Sequence, residues 1–225
     1  MRSEEELIEA LATDVRPVRR LRSPFSRTIF WIVVSGIWAA AVVAFMGLRP
    51  DLGAKSQELR WVVEQAATLA TAYFAAMAAF CAVVPGRPRW EHAVPLIPLG
   101  IWLGTLGFGC YLAWSESGLT GLIFIPDWAC FPAIVFVGAG PAVVMAAMLR
   151  RGAPITPALA LALGALASSA LGDFGLRFFH PQDASLVVLV WQVGTVFVLT
   201  AMGAAAGPTF LKWRSPQIGS TSGAR

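Results

Sequence analysis

Six stretches of this chain are long and apolar enough to cross a lipid bilayer, and together they leave little else to fold. They run Ile29–Leu48, Trp61–Val84, Ala93–Trp114, Cys130–Leu149, Thr156–Leu171 and Leu186–Ala206. A helix needs about 20 mostly apolar residues to cross roughly 30 Å of hydrocarbon. The fifth stretch is the weakest, being short and followed by Asp173 and Arg177. Only 13% of the 225 residues are charged, 57% are hydrophobic, and the mean hydropathy is +0.67. A soluble domain averages about 25% charged residues and has no core able to hide this much apolar surface. The first stretch starts behind a mixed-charge head with no small-residue cleavage site after it, so it reads as a span and not as a signal peptide.

These spans predict an all-α integral membrane protein, a bundle of six transmembrane helices with a short cytoplasmic N-terminal amphipathic helix. Three regions are expected: a cytoplasmic head over 1–28, the six-helix domain over 29–211 and a flexible tail over 212–225. Lys and Arg concentrate in loops that stay inside. Residues 1–28 carry six (Arg2, Arg16, Arg19, Arg20, Arg22 and Arg27), and Arg87, Arg89, Arg150, Arg151, Lys212, Arg214 and Arg225 bring that face to 13. The opposite loops hold four, Arg49, Lys55, Arg60 and Arg177. Both termini are therefore expected in the cytoplasm. The net charge of +4 follows from the same bias and gives no ground for a nucleic-acid partner.

With the termini inside, the loop between spans 3 and 4 lies outside, and cysteines stand at its two feet, Cys110 and Cys130. Antiparallel helices joined by a short turn would place them at similar depth, and a disulfide needs Cα atoms about 4.4–6.8 Å apart. Such a bond persists in an oxidising outer compartment and would stabilise the hairpin by about 3 kcal/mol on the chain-entropy account. Three readings stand side by side: a structural disulfide, a redox- or metal-responsive pair, or two unrelated buried cysteines packing as small hydrophobes. Cys81, near the inner end of span 2, reads as packing. His180 joins Cys110 and Cys130 as a candidate metal ligand, although no motif spacing enforces the set. In the same outer loop, "GDFGLRFFHPQD", the plainer reading has Pro181 stopping span 5, Asp183 capping span 6 and Asp173 pairing with Arg177 at i, i+4.

Polar residues within the spans are few. Glu64 and Gln65 sit near the outer start of span 2, where a carboxylate can snorkel. Gln192 in span 6 reads as an interhelical hydrogen bond. Gly100, Gly104 and Gly107 in span 3, and Gly164, Ser168 and Gly172 in span 5, read as close helix packing. Trp31, Trp61, Trp90, Trp114, Trp128 and Trp213 fit interfacial belts. There is no HExxH, no phosphate-binding loop and no GxSxG, so no catalytic residue and no cofactor is expected. A transporter would show a charged or unwound feature at mid-membrane. Pro95, Pro98, Pro132 and Pro141 are the only candidates, three of them near span ends.

The head, "MRSEEELIEALATDVRPVRRLRSPFSRT", predicts a helix of about 13 residues. Ser3 and Glu6 fit a capping box, Glu4 to Glu6 complement the helix dipole, and Pro17 ends the pattern. Leu7, Ile8, Leu11 and Val15 form one apolar stripe. So short a helix is marginal alone, and its polar face offers Glu where a lipid surface would favour Lys and Arg. Docking into a protein groove is therefore the better expectation, with the basic "RPVRRLR" meeting anionic headgroups.

The strings "LIEALATDVRPVRRLRSP", "GLRPDL", "VPGRPRW", "GFGC", "DWAC", "LRRGAP" and "FHPQDASLVVLVWQVG" occur in order through all six spans, over roughly residues 5–213. In these the chain resembles the negative regulator of sigma-F (NrsF) family of bacterial inner-membrane proteins. The resemblance implies an anti-sigma factor that holds an extracytoplasmic-function sigma factor at the membrane until a signal arrives. It also implies that Cys110 and Cys130 match a family cysteine pair tied to stress or metal sensing, a pattern to which Cys81 does not belong. Where the family pattern leads one to expect His, this chain has Gln192. On this reading Leu7, Ile8, Leu11, Asp14 and Val15 carry the sigma contact. Two other readings are a small transporter or permease subunit, which predicts a polar cavity between spans, and an envelope scaffold with a permanently oxidised cysteine pair.

Overall fold

A computed structural model describes residues 4–13, 21–118, 128–153, 155–181 and 185–211. All regular structure among them is helical. In chain order the helices are α1 (Glu4–Thr13), α2 (Pro24–Met46), the one-turn α3 (Leu52–Lys55), α4 (Leu59–Ala82), α5 (Leu96–Ser117), α6 (Cys130–Leu149), α7 (Pro157–Leu176), the three-residue α8 (Ser185–Val187) and α9 (Gly194–Phe210). A 3-10 turn, Arg89–His92, precedes α5, and a π-helical segment, Val188–Val193, joins α8 to α9. Six helices are long and apolar enough to cross a membrane.

Two boundaries differ from the sequence reading. The first span begins at Pro24, so residues 24–28 belong to the bundle. Ser23 caps the helix by accepting the Ser26 N–H at 3.3 Å, with Pro24 in the first turn, the usual Ser-Pro start of a helix. Arg27 is consequently no part of a solvated head. It is buried, donates to the Met148 carbonyl at 2.6 Å and lies 4.4 Å from the Phe80 ring centroid. The fifth span runs on to Leu176, well short of Pro181 but past Asp173. Asp183, the expected cap of span 6, lies outside the described residues.

The extended α7 is the centre of the bundle. It packs against α4, α6 and α9 and touches α2. Of its most apolar stretch 72% is buried, and of α4's 67%, whereas the other four spans bury 22–33%. The cause is composition: "PALALALGALASSALGDFGL" offers small side chains on every face, so three helices approach it closely. A Cβ on Gly172 would stand 2.6 Å from the Ile134 carbonyl oxygen of α6, and one on Gly207 of α9 would stand 2.5 Å from that of Pro157. Gly164 and Ser168 are buried in the same helix, as expected. The span 3 glycines behave otherwise. Gly100, Gly104 and Gly107 are exposed with nothing within 4 Å of a built Cβ, because α5 meets the bundle through its opposite face.

Contacts define two ends. At the near end, Ala153 donates its N–H to the Val83 carbonyl at 3.0 Å, alongside the Arg27–Met148 bond. At the far end, the Arg49 N–H bonds the Phe178 carbonyl at 2.9 Å. The tryptophans divide accordingly. Trp90, Trp114 and Trp128 are exposed. Trp31 is fully buried and donates its indole N–H to the Pro141 carbonyl at 3.0 Å, and Trp61 is buried edge-on to Phe178, so neither belongs to an interfacial belt. Trp213 lies outside the described residues.

Candidate functional site

The α1 helix forms over ten residues and opens with Glu4, Glu5 and Glu6, as the dipole argument anticipates. Among the described residues it has no extensive packing on another helix, and Ile8 is 64% exposed. The helix is shorter than the 13 residues expected. Ser3, Asp14, Val15 and Pro17 lie outside the described residues, as do the side chains of Leu7 and Leu11.

Cys110 is half-buried on α5, and Cys130 is the buried first residue of α6. Both stand as thiols. Spans 3 and 4 share no extensive contact among the described residues. α5 packs on α4 and α8, while α6 packs on α7 and α2. The π segment touches both α5 and α6, and Trp191 within it lies against the cluster of Cys130, Ile134 and Leu176. Trp128, just before α6, meets Trp191 edge-on at 4.7 Å. The π segment is thus a shared neighbour of the two cysteine-bearing helices. His180 contributes its backbone, taking an Arg49 Nη1 hydrogen bond at 3.4 Å. Among the described residues no three His, Cys, Asp or Glu side chains come together as a metal set, so Cys110, Cys130 and His180 are not gathered into one site. Cys81 is buried at the near end with its sulfur 3.6 Å from Arg87 Nη2.

The far end holds a polar cluster that local spacing could not assemble. Glu64 is buried, and Arg177 Nη2 donates to its Oε2 at 3.0 Å, an α4–α7 pair with side chains only 6% and 4% exposed. Arg60 lies 3.6 Å from the other Glu64 oxygen. Glu64 thus turns inward and does not snorkel, and the buried ion pair of Arg177 crosses between helices. Next to it, Gln65 Nε2 donates to the Phe174 carbonyl at 3.2 Å. Gln65 makes the interhelical bond that was expected of Gln192. Gln192 is fully buried with both side-chain polar atoms lacking a partner, and Asp173 is buried with Oδ1 likewise unpartnered. Above this layer Arg49, its side chain fully buried, grips Asp51 through two bonds of 2.7 and 2.8 Å. Those bonds hold the Asp51 carboxyl down at about 2.

The family model described as "NrsF: Negative regulator of sigma F" matches residues 11–213, most of the chain. No curated protein and no solved structure matches it.

Proposed function

Because this chain belongs to the negative regulator of sigma F family, we propose that it is an anti-sigma factor of the bacterial inner membrane, with both termini in the cytoplasm. The near end then faces the cytoplasm and the far end faces outward, as the arginine asymmetry of the loops supports. The segment of Leu7, Ile8, Leu11, Asp14 and Val15 docks on an extracytoplasmic-function sigma factor and masks a polymerase-binding surface. The observation that carries this reading is the family match; that α1 stands off the bundle with Ile8 exposed favours the head as the docking element. An apolar side chain left exposed on an amphipathic helix is available to a partner groove.

Release follows an envelope, redox or metal stress signal at Cys110 and Cys130. Modification of either thiol changes the packing of α5 or α6 against the π segment and so weakens the grip on sigma. To move a population from 1:99 to 99:1, the signal must favour the releasing state by about 5.5 kcal/mol. The test is affinity purification of the detergent-solubilised protein with and without residues 1–20, a cut that retains the Ser23 cap. A sigma factor should accompany the intact protein in near-equal amounts and vanish with the truncation. If none accompanies the intact protein, the anti-sigma reading fails. Serine at both cysteines, with sigma release unchanged under oxidant and metal stress, would remove the sensing half alone.

A further inference from the structure

The near half of α2 is tied to α6, through the Arg27 bond to the Met148 carbonyl and the Trp31 bond to that of Pro141. Its far half leans the same way. Ala39 and Val42 pack with Val137, and the Trp38 ring stands 2.6 Å from where Gly140 would carry a Cβ. Space therefore opens on the other side of α2, toward α4 and α7, as a cavity of about 300 Å³. α2 lines it with Ile32, Gly36, Ala40 and Val43, a stripe at helical spacing whose glycine and alanine make the hollow. Leu69 of α4 forms the opposite wall, and Phe174 of α7 with Phe178 just beyond it forms the floor. The floor is braced: the two phenyl rings meet edge-on at 5.1 Å, and Trp61 meets Phe178 at 5.9 Å. Ala40 and Leu69 are exposed, so the cavity opens sideways as a groove between α2 and α4.

Chemistry, setting and length together say what such a groove takes. Every side chain that lines it is apolar, and an apolar hollow does not hold water. Its mouth lies on the flank of two spans, so in a bilayer it faces hydrocarbon, and a chain lying in it gains dispersion contacts from three helices at once. From Ile32 to Val43 it follows α2 for about 16 Å at 1.5 Å per residue. That is close to half of a hydrocarbon core of roughly 30 Å. The groove starts near the middle of α2 (Pro24–Met46) and stops near its far end. It therefore spans one leaflet, the one at the far end.

We propose that this groove is a lipid site, which holds one acyl chain of a phospholipid from the far-end leaflet. The proposal rests on the membrane placement given above and not on sigma binding. To test it, full-length protein is reconstituted in phosphatidylcholine vesicles with a trace of phosphatidylcholine bearing a photoreactive diazirine midway along one chain. Adducts formed on illumination are mapped by mass spectrometry. Phe108 on α5 is the reference, being 58% exposed and as far into its helix from Leu96 as Gly36 is from Pro24. Adducts on Ala40, Leu69 and Phe174 should exceed those on Phe108 about threefold, since three helices touch the groove chain and one touches a chain on α5. Gly36→Leu should bring them down to the Phe108 level. A Cβ on Gly36 meets nothing within 4 Å, so the new side chain enters the groove without displacing a neighbour. Gly104→Leu, on the open face of α5, should leave groove labelling unchanged. Wild-type groove labelling equal to that of Phe108 means ordinary boundary lipid, and weaker labelling means that a second copy or another segment covers the hollow. Either result overturns the proposal, whether or not Gly36→Leu folds, and so does full groove labelling in a folded Gly36→Leu. If Phe108 is unlabelled too, the membrane placement falls with it.

Discussion

Arg177 shows how a single residue can be misread from its neighbours in sequence. Asp173 lies four positions away, and that spacing invites a local pair, yet the guanidinium crosses to Glu64 on α4. Breaking a buried pair on one side leaves a bare charge and costs about 3–5 kcal/mol, whereas removing both charges costs much less. Arg177→Gln should therefore lower thermal stability markedly, and Glu64→Gln in the same protein should recover most of the loss. Equal losses in the single and double variants would mean that the pair contributes nothing beyond packing. Asp51 gives a pH signature at the edge of the far end. Its folded value of about 2 lies below the ordinary 3.9, so the Arg49 contact contributes in full above pH 4 and is lost as pH falls through 2. Asp51→Asn should reduce stability at neutral pH and remove this acid-range component from the melting profile. The Glu64–Arg177 role was not legible beforehand, because each residue gains its meaning from a partner on another helix, which periodicity cannot reach, whereas Arg49 and Asp51 are two residues apart and lacked only the burial that fixes them.

At the scale of the helices, small-residue spacing was read correctly as a packing signal but not as a direction. Gly172 and Gly104 both belong to four-residue patterns, yet Gly172 meets a backbone carbonyl and Gly104 meets nothing. Gly172→Ala should destabilise the protein by about 1–3 kcal/mol through overpacking. Gly104→Ala should be neutral or stabilise it by up to about 1 kcal/mol, since alanine is the better helix former. Comparable losses from both would show that α5 is packed in solution through its glycine face. The existence and order of the spans were legible because hydropathy is a property of each helix alone, and Cys130–Leu149 is identical in both readings. The length of span 5 was not, since Asp173 and Arg177 looked like a water boundary and are accommodated inside by α4. The π segment gives no hydropathy signal at all.

Among the described residues the molecule divides into a bundle that holds itself together and a helix, α1, that has no extensive contact with it. Removing residues 1–20 should leave the melting temperature of the bundle unchanged, because among the described residues α1 has no extensive contact with the other helices. A clear drop would mean that the head docks back on its own inner surface. Within the bundle the neighbour relations, unlike the span count, were hidden: consecutive spans 3 and 4 are held apart in packing, and the fifth organises the rest. That last feature bears on biogenesis. Four spans leave the ribosome before the helix that joins them, and until it arrives Glu64 has no Arg177 to meet. The earlier helices already have contacts of their own, α2 with α4 and α6 and α4 with α5, but the contacts of α7 to α4, α6 and α2 wait for this later segment. A nascent chain stalled before Leu176 would hold Glu64 beside Arg60 but without the buried guanidinium of Arg177, a difference in charge that separates an unfinished copy from a finished one.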